Sequence, residues 1–154
     1  MRKKEREIKD LSEIETVISD SDVCRVAFAD GDLPYIVTMN FGYRKGKNSC
    51  LFFHCAPEGR KLDMLRKNNF VCFEMDTSHN MYRNDKACDW GMNFRSVIGY
   101  GRLSIVEDED ERISGLGKIM EHYGGQGVFN FDPAVLNRTT ILRLDIVELT
   151  GKKR

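Results

Sequence analysis

Leu51-Phe-Phe-His-Cys-Ala-Pro-Glu-Gly-Arg-Lys-Leu-Asp-Met-Leu-Arg-Lys67 is the stretch on which the fold turns. A short apolar run of strand type ends at His54, and Pro57 and Gly59 then break it. Residues 58–67 follow as a basic, helix-like segment led by Arg60 and Lys61. A strand that delivers a turn and two cations to a helix start can cradle an anion. First-turn N–H groups and the positive end of the helix dipole both favour negative charge there. Ala56 and Cys55 are poor N-caps, so backbone donors are left open to a ligand. The plain alternative is an amphipathic helix with Leu62 and Leu65 inward and Arg60, Lys61, Arg66 and Lys67 in water. The stretch alone does not choose between the two.

Working outward, Ser12 and Glu15 form a capping-box pattern ahead of a helix whose apolar stripe is Leu11, Ile14, Val17 and Ile18. Val23 to Ala29 reads as a strand, Asp30-Gly31-Asp32 as a turn, and Pro34 to Tyr43 as a second strand. The polar turn 44–48 leads into a third strand, Ser49 to Cys55, which predicts an antiparallel meander of the first three. Beyond the 58–67 helix, Phe70 to Asp76 is a fourth strand, Thr77 to Lys86 a loop, and Arg95 to Val106 a long strand. The acidic run 107–111 opens a helix that turns Ile113, Leu116, Met120 and Tyr123 inward and ends at Gly124-Gly125. The last strand is Thr139 to Leu149.

About six strands joined by short connections predict a mainly β, α+β chain: an antiparallel barrel with peripheral helices, in one domain over residues 1–154. Gly99-Tyr-Gly101 lies inside a strand and lacks the third glycine of a dinucleotide fingerprint. Its two glycines share one strand face, which fits either a barrel corner or bulge, or a strip against which a flat ring or a partner subunit lies. Lysine plus arginine equals aspartate plus glutamate at 24 each, so no global field recruits nucleic acid or a membrane surface. The five cysteines, an odd number without Cys-x-x-Cys spacing, predict core thiols in a reducing, cytoplasmic compartment. No segment has the length of a bilayer span, and the amino terminus lacks the apolar stretch of a signal peptide.

Four pieces of the chain, taken in order, carry a resemblance. They are Asp22-Val-Cys-Arg-Val-Ala-Phe with Pro34-Tyr-Ile-Val-Thr-Met-Asn-Phe-Gly-Tyr; then 51–65; then Phe70-Val-Cys-Phe-Glu-Met-Asp; and Phe94-Arg-Ser-Val-Ile-Gly with Tyr100-Gly-Arg-Leu. Together they resemble the FMN-binding split-barrel family of pyridoxamine 5′-phosphate oxidase-like proteins, within it the branch named for 5-nitroimidazole reductases, the Nim antibiotic-resistance proteins. The resemblance implies a flavoprotein homodimer with FMN, or FAD, in clefts between subunits. Arg60 and Lys61 match the family's phosphate-binding pair. Val37, Thr38, Met39 and Asn40 match the strand whose backbone edges the flavin ring, and Phe53 and His54 the neighbouring strand end, facing the flavin or its ribityl chain. Arg95 and Ser96 match a strand that helps bind the ribityl-phosphate end. The family oxidases' substrate-binding stretch beyond the last strand has no counterpart in the sequence, which speaks against pyridoxamine phosphate oxidation. The implied cycle takes hydride from NAD(P)H and passes electrons to a small acceptor, such as a nitroaromatic, in the same cleft.

His54 is the candidate catalytic residue, since an imidazole can hydrogen-bond a ligand and deliver a proton near neutrality; a satisfied strand-end histidine is the alternative. His79 and His122 read as solvated, and no His/Cys spacing makes a zinc site, so no metal is expected. Trp90 is either an aromatic over the flavin or a core or interface residue. Two other classes stand beside the reductase: a non-catalytic flavin- or haem-binding module, and a nucleic-acid-binding barrel using Arg44-Lys45-Gly46-Lys47. Zero net charge argues against the last.

Overall fold

The computed structural model, described over residues 3–154, is organised by one antiparallel sheet that rolls around its own core. A 3₁₀ turn (Lys4–Arg6) leads to β1 (Glu7–Ile8) and α1 (Leu11–Asp20). There follow β2 (Cys24–Asp30), β3 (Leu33–Met39), β4 (Gly42–Arg44), β5 (Cys50–Cys55) and α2 (Arg60–Lys67). The chain continues with β6 (Phe70–Tyr82), β7 (Gly91–Ile105), α3 (Glu109–His122), α4 (Pro133–Leu136) and β8 (Thr140–Lys153). The sheet order is β3-β2-β6-β7-β8-β5-β4, with β1 added to β8.

Strands β3 and β4 follow one another in the chain yet end opposite edges of the sheet. The expected strand 34–43 is therefore two strands broken at Asn40-Phe41, and the expected meander of three stops at the β2–β3 hairpin. Alternation fails at the break: Met39 (β3), Phe41 and Gly42 are all buried, so the chain dives across the barrel mouth. Met39, Phe41, Leu51, Phe53, Phe73 and Val97 meet in one cluster, which shows that both ends of the sheet curl onto the same core. The barrel is split, as expected, because no ladder joins β3 to β4.

A second, smaller cluster lies outside the barrel, where Cys50, Phe52 and Ile141 pack beneath Ile119 of α3. Here the expected stripe is corrected. Gly115 and Ile119 face the sheet with the expected Leu116 packed beside them, while Ile113, Met120 and Tyr123 are each about 40% exposed. A Cβ on Gly115 would come within 2.6 Å of the Phe52 ring, and one on Gly42 would overlap the backbone of Lys118. Glycine, not a large apolar residue, sets the face on which α3 sits. The helix is held electrostatically as well: Glu111 pairs with Arg143 at 2.6 Å and Arg44 at 3.4 Å, and the Arg44 guanidinium lies 4.5 Å over Phe52.

Other boundaries shift for local reasons. Asp10, not Ser12, caps α1, accepting from the Ser12 N–H at 2.9 Å. The expected loop 77–86 is strand as far as Tyr82, because β6 and β7 run on together past the end of β8. The register shifts between Thr77 and Asn80, where Ser78 takes φ 60°. Gly99 and Gly101 face inward, against Phe73 and the backbone of Asp145, next to a register shift between Tyr100 and Gly101. The bulge reading holds, and no ring or partner can lie on that face. Among the described residues, no helix is long and apolar enough to cross a membrane.

Gly42→Ala should be costly, since the obstacle is backbone rather than a movable side chain. We expect a loss of about 3 kcal/mol, read in thermal unfolding as a fall in Tm of ~9 °C. Gly46→Ala, in open space on the 44–48 turn, controls for the loss of a glycine; with φ 154° it carries backbone strain but no clash.

Candidate functional site

The turn 56–59 ends with Gly59 at φ 130°, a conformation that glycine adopts most readily, and α2 starts at once. Leu62, Met64 and Leu65 bury its inner face, so the amphipathic reading of this helix is correct. The cradle reading concerns its first turn. No side chain caps the helix, and among the described residues the N–H groups of Arg60 and Lys61 have no acceptor; the first bonds are Leu62 and Asp63 to the Gly59 carbonyl, at 2.9 and 3.2 Å. The later cations are neutralised, Arg66 by Asp63 at 2.9 Å and Lys67 by Asp30 at 3.4 Å. Among the described residues Arg60 and Lys61 pair with no carboxylate. Arg60 instead lies 4.5 Å over the Tyr35 ring, and Lys61 Nζ sits 3.9 Å from Met39 Sδ. Two N–H groups, a guanidinium and an ammonium are thus left at one helix start without a counter-ion among the described residues, a donor set suited to a phosphate.

Tyr35 and Met39 belong to β3, so the cradle adjoins that strand. Strand β3 pairs with β2 on one side; among the described residues its other edge, along Val37, Thr38 and Met39 and on to Asn40 just past its end, has no strand partner. Thr38 and Asn40 are exposed, Val37 is half-buried and the Met39 side chain is buried. Phe53 is fully buried in the barrel core, so its ring faces neither flavin nor ribityl chain and only its backbone is available there. His54, the next residue, points the other way, out of the barrel toward α3 and α4.

Arg95 and Ser96 lie elsewhere. Phe28 pairs with Tyr35 and stands level with Val71, whereas Arg95 pairs with Thr77. That is six residues further along β6, or about 20 Å at strand rise. Arg95 lines an open depression of about 660 Å³ with His79, Phe94 and Arg154; Ser96 lines one of about 280 Å³ with Glu7 and Lys152; His54 lines one of about 310 Å³. Arg60 and Lys61 line none of these three. A single chain therefore brings Arg60, Lys61 and Val37–Asn40 together, keeps His54 close by along the chain, and leaves Arg95 and Ser96 apart.

Several residues escaped the sequence reading. Tyr35 sits beneath Arg60, and Tyr123 accepts from the Phe41 N–H at 3.3 Å while donating to the Asp22 carbonyl at 2.7 Å. His122 is not solvated: its Nε2 is 2.9 Å from the Ser21 carbonyl oxygen and its ring centroid 4.1 Å from that of Phe41. Helix α4 had a legible signal in Asp132-Pro133, an N-cap followed by proline at the first helical position. Trp90 is half exposed and donates to the Asn84 carbonyl at 2.7 Å, outside the core. Among the described residues, no group of three or more His, Cys, Asp or Glu side chains could hold a metal ion.

Cys24, Cys50 and Cys55 are buried, and all five thiols are free. Burial pushes the thiols of Cys24, Cys50, Cys55 and Cys72 above their ordinary range; the Lys61 charge opposes this at Cys55 without cancelling it. None is a built nucleophile. Native protein should show one fast-reacting thiol toward an aromatic disulfide reagent, Cys88, and all five in denaturant; Cys88→Ser should remove the fast phase.

The class is that of a split antiparallel barrel in which, among the described residues, a helix start without a side-chain cap or a carboxylate partner adjoins an edge strand. The chain belongs to the pyridoxamine 5′-phosphate oxidase family, whose model matches residues 10–153. Among solved structures it is similar to a candidate 5-nitroimidazole antibiotic resistance protein from Bacteroides thetaiotaomicron, 31% identical, with 96% of this chain and 86% of that one covered and a TM-score of 0.83. It shares its fold with the FAD and heme binding protein from Mycobacterium smegmatis (14% identity, 96% and 73% covered, TM-score 0.81). The same holds for a FAD-binding protein from Mesorhizobium loti (20% identity, 97% of each chain, TM-score 0.69). No curated protein sequence matches it significantly.

Proposed function

We propose that this chain is a flavin-dependent oxidoreductase, an NAD(P)H-driven reductase of small aromatic acceptors, working as a homodimer in the cytoplasm with FMN as cofactor and FAD as the variant to distinguish. The observation that carries the proposal is the pair Arg60 and Lys61, two cations at an uncapped helix start without a carboxylate partner. Membership of the family and likeness to the Bacteroides protein support it. The flavin, when bound, supplies the two-electron chemistry.

What the chain itself contributes follows from its residues. Arg60 and Lys61, with their own N–H groups, hold the phosphate. Stacking on Tyr35 keeps the Arg60 guanidinium extended, so less side-chain freedom is lost on binding. The free edge of β3 at Val37–Asn40 offers alternating backbone donors and acceptors to the polar rim of a flat ring, and Thr38 and Asn40 add side-chain partners. Arg95 and Ser96, about 20 Å away along the strands of one chain, enter the same site only from a second protomer, which is why a dimer belongs to the proposal. His54 holds or delivers a proton at its imidazole nitrogens.

Purified protein should be yellow and release FMN on denaturation, and anaerobic NADH or NADPH should bleach it. Flavin that stays oxidised would leave a non-catalytic flavin- or haem-binding module. Arg60→Ala with Lys61→Ala removes two charge-assisted contacts and should weaken flavin binding by about 100-fold or more, with the far-ultraviolet dichroism of the barrel unchanged. Full retention of flavin by that double variant overturns the assigned cradle.

A further inference from the structure

Where β6 and β7 run on past the end of β8, they frame the open depression of about 660 Å³ that the cradle does not touch. A defect in the ladder shapes it. The register shifts between Thr77 and Asn80, and Ser78 takes φ 60° there, the one positive φ at a non-glycine among the described residues. Such backbone outliers gather at ligand clamps and active sites, and a bulge re-aims the side chains beside it. The residues so placed are His79 and Asn80, and both line the depression. Asn93, the cross-strand partner of Asn80, lines it as well.

Positive charge is in excess around this depression. Arg154 is fixed by backbone pairing just beyond β8: its N–H donates to the Phe94 carbonyl at 3.0 Å, and its carbonyl accepts from the Phe94 N–H at 3.2 Å. Its guanidinium lies 5.4 Å from the centre of the Tyr82 ring and, among the described residues, pairs with no carboxylate. Arg95 has only Glu13, at 3.9 Å, and Glu13 is already held by Lys153 at 2.8 Å. Lys152, 5.4 Å from the centre of the Phe94 ring, adds a cation at the rim. The nearby carboxylate of Asp76 is engaged twice, by His79 at 2.5 Å and by Arg25, and it does not line the depression. Two guanidiniums, an imidazole and two carboxamides suit a phosphate monoester. Phe94 adds an apolar wall for a ribose or a purine, and the volume falls within the range of small-molecule sites.

We propose that this depression binds the 2′-phosphate of a nicotinamide dinucleotide, so that the hydride donor is NADPH rather than NADH. The donor role rests on the flavin reading; the phosphate site does not. In the proposed dimer Arg95 reaches the other protomer's cradle, so the depression that Arg95 borders opens beside the flavin, where a hydride donor must lie. The two phosphates then fall to different residues. Arg60 and Lys61 hold that of the flavin, while Arg154 holds the 2′-phosphate, with His79, Asn80 and Asn93 around it. NADH carries a hydroxyl at that position and gives the Arg154 guanidinium nothing to neutralise.

The test is calorimetric titration of the purified protein with 2′-AMP and with adenosine. 2′-AMP should bind about tenfold or more tightly than adenosine, and the difference should shrink as salt is raised. Arg154→Ala should weaken 2′-AMP by about tenfold, the value of one charge-assisted contact, and leave adenosine unchanged. Asn93→Asp, which sets a carboxylate beside the phosphate, should remove the preference for 2′-AMP. Both side chains are exposed, so neither change burdens the core. In anaerobic bleaching of the flavin, Arg154→Ala should raise the half-saturating NADPH concentration by about tenfold and leave that of NADH as it was. Equal half-saturation by NADPH and NADH in the wild type overturns the proposal, as does 2′-AMP affinity that both variants keep. Loss of flavin from Arg154→Ala also overturns it, since the depression then serves the other protomer's flavin phosphate. Colourless wild-type protein that still prefers 2′-AMP, and loses that preference in Arg154→Ala, defeats the flavin reading and the donor role together, while the phosphate site stands.

Discussion

A hydrogen atom in place of a side chain at Gly42 lets the backbone of α3 rest on the backbone of β4, and the candidate site is arranged around that contact. The chain must leave β3 at Met39 and reappear on the far edge of the sheet at Gly42, with only Asn40 and Phe41 between. So short a crossing cannot pair both strands. It spends its two residues burying Phe41 and exposing Asn40, and the outer edge of β3 keeps its backbone groups free. The end of α3 then closes over the crossing, where Tyr123 receives the Phe41 N–H and His122 packs on the Phe41 ring. An unpaired edge ordinarily invites aggregation. Here the edge adjoins two cations that have no carboxylate partner among the described residues.

Electrostatics separate structure from site by a simple difference. Arg25 is answered by Glu74 and Asp76, Arg44 and Arg143 by Glu111, Lys45 by the buried Glu15, and Lys153 by Glu13. These pairs sew helices to the sheet, although most are half exposed and each adds little stability alone. Arg60 and Lys61 are treated otherwise: one is laid on an aromatic ring and the other beside a thioether. In a chain of zero net charge, such a local excess is a property of placement, not of composition. The mostly apolar cavity at His54 is the complement, with no lysine or arginine among the described residues that line it.

Much of the fold was legible. Strand alternation gave β2, β5, β7 and β8 to within a few residues, and the leucine spacing gave α2 with its inner face. What was misread shares a cause. The β6–β7 extension is polar, and its strands are held by each other's backbones, which leaves no apolar period to detect. The face of α3 was right at Leu116 and misassigned at Ile113, Met120 and Tyr123, because glycine reads as a gap in a hydrophobic stripe, whereas Gly115 lies directly against Phe52. Asp10 displaced Ser12 as cap by two residues, within the usual uncertainty of helix ends.

For the site, residue type and order were enough to find the two cations at a helix start, the histidine at a strand end and the barrel class, because each depends on local geometry within a few residues. Which face each side chain presents was decided only by the rolled sheet. It buried Phe53 and turned its neighbour His54 outward, set Tyr35 beneath Arg60, and separated Arg95 and Ser96 from the cradle along the same strands. It also drew α3 and α4 together into a cavity from residues far apart in the chain. Charge and turn chemistry are written locally. Neighbourhood across a sheet depends on register and on where the barrel opens, and these arise only when the whole core packs at once.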